Sequence, residues 1–177
     1  LNKEKTSLIR RLRSKSSELK DELNFIKKIY FIAVEGFCKE VSCFCDHKKI
    51  DNPLLSMSKD EEKRDKENLT KDLKYLFREI AKKTHLDTCK TDDNRSTLEE
   101  AVEAKKNNQA CDILSIAHEL DIDTTSLSYK SLDAIESSIQ KSEEEIMQIT
   151  NSYPWKWHHA TNSRKVNIVE EFVLSKV

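Results

Sequence analysis

The chain is nearly devoid of the residues that punctuate a backbone. Its 177 residues include one glycine, Gly36, and two prolines, Pro53 and Pro154. Glycine and proline supply tight turns, strand bends and close backbone approaches. Gly-rich phosphate loops and dinucleotide fingerprints need several glycines, so one excludes them. No Glu-x-x-His occurs, which argues against a di-iron helical bundle. No run of eighteen apolar residues occurs either, so the sequence offers no membrane span. Its most apolar stretch, Phe25 to Val34, is interrupted by Lys27 and Lys28. No internal repeat of solenoid length is visible.

What remains is charge and helical periodicity. Charged residues make up 36% of the chain, against roughly 25% in an average globular domain. The net charge is only −1, but it is unevenly spread. Residues 1–20 carry seven Lys/Arg against Glu4 and Glu18, while residues 96–150 carry four Lys against twelve Asp/Glu. The plain reading is two faces that attract each other; the sharper one is a basic contact surface for an acidic partner or membrane. The overall pI of 6.6 and the short basic stretch argue against nucleic acid.

Residues 5–46 read as one long helix or two in line, with a seam at Ile9, Leu12, Leu19, Leu23, Ile26, Tyr30, Ala33 and Phe37, Ser16 filling the gap. Before residue 22 the seam is narrow and flanked by charge. Beyond it Phe25, Ile29, Phe31, Ile32 and Val34 add apolar surface on most sides, which predicts burial among several helices. Asp51-Asn52-Pro53 stops the pattern, with Leu54, Leu55 and Met57 expected to plug the core. Capping boxes at Ser58/Glu61 and Ser96/Glu99 predict two more helix starts. The seam of the latter changes register at Asn107–Asn108, which predicts a break. Residues 126–150 form a further helix, ended by Ser152-Tyr153-Pro154. A last helix, capped by Asn162 or Ser163, shows Val166, Val169, Phe172 and Val173 on one side.

Two clusters invite chemistry. Cys38, Cys43, Cys45 and His47 supply four zinc-ligand types within ten residues. In a continuous helix, however, Cys43 and Cys45 diverge by about 200°, so a site requires the helix to end near Val41. The five cysteines, with Cys89 and Cys111, leave core thiols and disulfides open and tilt the compartment slightly toward the cell interior. A secreted form with its signal removed stays open too. Tyr153, Trp155 and Trp157, followed by His158 and His159, form the densest aromatic patch, either a plug on a bundle or a recognition surface.

These readings combine into an all-α fold. It is expected to be an antiparallel bundle of about five helices over residues 21–177, with residues 1–20 projecting as a basic helical extension. The expected role is a non-catalytic interaction module, an adaptor, assembly subunit or secreted binding protein, with no cofactor and no metal. Ile9, Leu12 and Leu19 would pair with a protein partner or a second copy. Arg10, Arg11, Arg13 and Lys15 would set orientation, and Tyr153, Trp155 and Trp157 would form a second contact. An alternative is a carrier of an apolar ligand lined by Phe25, Phe31, Phe37 and Trp155. A third is an enzyme using the Cys38–His47 cluster.

Overall fold

Apolar residues at three- and four-residue spacing, with almost nothing to break them, give helices over most of the described chain. In a computed structural model, which describes residues 2–56, 69–84 and 92–176, the order is α1 (Asn2–Lys48), a 3-10 turn (Pro53–Leu55), α2 (Lys71–Thr84), α3 (Asp92–Lys106), α4 (Ala110–Glu119), α5 (Tyr129–Asn151), α6 (Tyr153–His158) and α7 (Asn162–Leu174). There is no strand among the described residues. None of the described helices is long and apolar enough to cross a membrane.

The breaks have local causes. Asn108 adopts φ 54° between α3 and α4, where the seam changes register. Asp121 adopts φ 50° just past α4. Ser152 caps α6 by accepting from the amide of Trp155, with Pro154 in the first turn, where a missing N–H costs nothing. These breaks divide the expected helices more finely, so the described residues form seven α-helices rather than about five. Two caps differ from expectation. Helix α3 starts at Asp92, so Ser96 and Glu99 lie within it; α7 is capped at Thr161. Ser58, Glu61, Met57 and Cys89 lie outside the described residues.

The chain divides into two compact units. The first comprises Leu1–Glu22 and Asp65–Glu143; the second comprises Leu23–Arg64 and Glu144–Val177. In the first, helices α2, α3 and α4 pack on one another. Its core includes Ile9 and Leu12 of α1, Leu73, Leu76 and Ile80 of α2, Ile113, Leu114 and Ile116 of α4, and Leu132, Ile135 and Ile139 of α5. In the second, Phe37, Val41 and Cys45 of α1 meet Ile168, Val169, Phe172 and Val173 of α7, with Tyr153 and Trp157 of α6 against them. Leu54 joins this cluster, whereas Leu55 points to solvent. Val166 is likewise exposed, and Ile168 takes the core position in its place.

The N-termini of α2 and α5 are fastened by one carboxylate. Asp72 Oδ2 accepts hydrogen bonds from the Ser128 amide (2.9 Å), the Ser128 hydroxyl (2.5 Å) and the Ser131 hydroxyl (2.7 Å), while Thr70 and Ser131 hydroxyls meet at 2.8 Å. These bonds satisfy donors that the start of α5 would otherwise leave open. The Ser128 bonds, then Ser131, hold the Asp72 carboxyl below its ordinary value against the opposing effect of burial. A carboxylate depressed on folding stabilises above its unfolded pKa and loses that contribution as pH falls through its folded one. Asp72→Ala is therefore expected to cost about 1 kcal/mol at pH 7, the worth of a typical cap. Asp72→Asn should lack part of the wild-type stability loss seen as pH drops below about 4. Urea unfolding of the three proteins at pH 7 and pH 3 reads both.

Candidate interaction surface

The seam expected to stay open is covered. Ile9, Leu12, Ser16 and Leu19 are all buried in the first unit, Leu12 with 3% of its surface left accessible. The stretch from Ile9 to Leu19, expected to lie on a projecting extension, thus has its apolar face covered within that unit. The buried apolar seam drives that packing, and opposite charges line its edges. Lys15 Nζ meets Glu143 at 2.7 Å; Lys20 Nζ meets Glu100 at 3.0 Å and Glu119 at 3.4 Å. The basic start and the acidic 96–150 segment therefore neutralise one another. Burial pulls the Lys20 ammonium down, but hydrogen bonds and charge from Glu100 and Glu119 outweigh it and hold it above its ordinary value. Arg13 donates from Nη2 to the His118 ring, 2.6 Å from Nδ1. Of the four orienting basic residues, Arg10 and Arg11 stand exposed in solvent, whereas Arg13 and Lys15 have partners within the unit.

The aromatic patch also divides. Tyr153 stacks edge-on against Phe172, with ring centroids 5.3 Å apart. Trp157 stacks edge-on against Phe37 at 6.1 Å and carries Lys165 Nζ 4.5 Å from its ring centre. Trp157 also lies on Gly36, where a Cβ would come within 2.8 and 2.9 Å of its Cζ3 and Cη2. That contact explains the single glycine: only a residue without a side chain lets the indole reach the helix backbone. Its Nε1 is buried with no hydrogen-bond acceptor among the described residues. Trp155, half-buried, packs instead on His159 at 4.5 Å. Tyr153 and Trp157 thus serve the second unit's core.

The cysteine cluster does not converge. Helix α1 runs on to Lys48, leaving Cys43 exposed and Cys45 buried. Among the described residues, no group of three or more His, Cys, Asp or Glu is placed to hold a metal ion. The four described cysteines are free thiols. Cys111 sits between the Ser138 and Ser142 hydroxyls, and burial, with Asp112, pushes its thiol up to about 11. A thiol held protonated is a weak nucleophile. The proposed carrier lining fails on geometry as well. Phe25, Phe31 and Phe37 are spaced six residues apart, so they stand about 120° apart around α1. They cannot line one cavity; Phe37 is core and the other two face solvent.

That leaves a surface which periodicity reads as buried. Phe25 is 64% accessible, Phe31 75% and Ile32 61%. In this half of α1, apolar residues encircle most of the helix, but the described residues of the second unit bury the side bearing Ile26, Ala33, Phe37 and Val41. Phe25 and Ile32, seven residues apart, lie within about 20° of each other around the helix, with the partly covered Ile29 between them. They form an apolar stripe that leads to Gly36 and the overlying Trp157. Lys28, Glu35 and Lys39 line its solvent side, and Lys39 pairs with Glu35 at 2.7 Å. The sequence signal for this stripe is an apolar arc wider than one face of a helix; periodicity shows the arc but not how much of it the chain itself covers. No protein-family model, curated protein or solved structure matches the chain.

Proposed function

We propose that the protein is a non-catalytic helical interaction module that binds a protein partner through the open flank of α1 in its second unit. One observation carries this reading: Phe25 and Ile32 stand exposed on one stripe, with Phe31 exposed on another side of the same helix. Isolated exposed apolar residues are ordinary, but a contiguous patch rimmed by polar residues marks a contact site. An apolar helix stripe is read by another helix or by a groove through residues at this spacing. Arg10 and Arg11 are the exposed basic residues that would steer an acidic partner. Ile9, Leu12 and Leu19 have no such role while the first unit is folded.

The test is binding of wild type and of Phe25→Ser/Ile32→Asp to whatever the wild type captures from its native source, verified with purified components. Both substituted side chains are exposed, so helicity should be unchanged, and affinity should fall at least about tenfold, as for a central contact. Unchanged affinity in the double variant would remove this flank from the account.

A further inference from the structure

We propose that the occupant of this flank is a second copy of the chain, its α1 paired antiparallel to the first about a two-fold axis level with residues 30 and 31. The proposal rests on the interaction reading above and names its partner. A two-fold contact needs a patch that complements itself. Phe25, Ile29, Ile32 and Gly36 recur at four- and three-residue steps, the spacing of a coiled-coil seam. Antiparallel pairing sets Ile29 opposite Ile32 of the second copy, and Phe25 opposite Gly36.

The charges choose this direction. Lys28 and Glu35 are one heptad apart on the same side of the stripe, and both are exposed. In an antiparallel pair, flanking positions of one kind face each other. The register that layers Ile29 on Ile32 therefore brings Lys28 to Glu35 of the second copy, and Glu35 to its Lys28. One register thus makes two reciprocal ion pairs. A parallel pairing places Lys28 beside Ala33, which is buried, and makes neither pair. The stripe's end also fits: Trp157, seated on Gly36, presents an aromatic neighbour to the incoming Phe25.

About three helical turns per copy is less than the roughly 800 Å² per partner of a standard interface. Association in the range of about 10–100 µM is therefore expected. Sedimentation velocity between about 5 and 500 µM should show a monomer passing to a dimer and no further. Ile32→Asp should hold the chain monomeric over that range. Lys28→Glu and Glu35→Lys should each weaken the dimer about fivefold, because each sets two like-charge contacts in place of two ion pairs. The combined Lys28→Glu/Glu35→Lys variant should return to near wild-type affinity, since the swapped charges again oppose. Three results would overturn the proposal: a monomer at every concentration, a dimer indifferent to Ile32→Asp, or a double variant as weak as its parents combined. If the chain stays monomeric while Phe25→Ser/Ile32→Asp still abolishes binding of a different protein, self-pairing fails and the interaction reading stands.

Discussion

Phe37→Ala is expected to lower the stability of the second unit by about 3–5 kcal/mol, the usual range for a buried aromatic cut to a methyl. Phe37 retains 1% of its surface and meets two rings edge-on, Trp157 at 6.1 Å and Phe172 at 5.2 Å. Truncation removes its own transfer energy, leaves a cavity beside Val41 and Val169, and takes away two ring pairs worth about 0.5–1.5 kcal/mol each. The loss should be read by urea denaturation. Tryptophan emission should also change in the native baseline, because Trp157 rests on both Phe37 and Gly36. A loss below about 1 kcal/mol would mean that the ring cluster does not hold the unit together.

Much of the architecture is legible in the sequence because helix periodicity is a local property. Of the seam Ile9, Leu12, Ser16, Leu19, Leu23, Ile26, Tyr30, Ala33 and Phe37, every position is buried in α1 except Tyr30, which is half-buried. Ser142, at heptad spacing between Ile139 and Ile146 of α5, is buried as well. The break at Asn107–Asn108 and the turn into α6 at Ser152 stand where register and proline place them. The candidate site is not legible in the same way. A seam shows that a face is covered, not what covers it, and the narrow charged seam before residue 22 fits a partner helix as well as the chain's own α4 and α5. The deciding information is long-range: Lys15 with Glu143, Lys20 with Glu119 and Arg13 with His118 lie about a hundred residues apart. Charge asymmetry between residues 1–20 and 96–150 was its trace in the sequence. Phe25 and Ile32 failed in the opposite sense. Their apolar character predicts burial, and only the count of neighbouring helices on that side leaves them open.

The chain covers one face of α1, the Leu12 seam, and leaves the Ile32 stripe open. Urea unfolding of Leu12→Asp and Ile32→Asp beside wild type measures that directly. Leu12→Asp puts a carboxylate where only 3% of the Leu12 surface is accessible. It is expected to cost about 3–5 kcal/mol, through the lost side chain and the buried charge. Ile32→Asp, on the exposed stripe, is expected to stay within about 0.5 kcal/mol of wild type when measured as the monomer. The reverse pattern, a stable Leu12→Asp and a severely destabilised Ile32→Asp, would contradict the account: the seam would then be the open contact and the stripe part of the core.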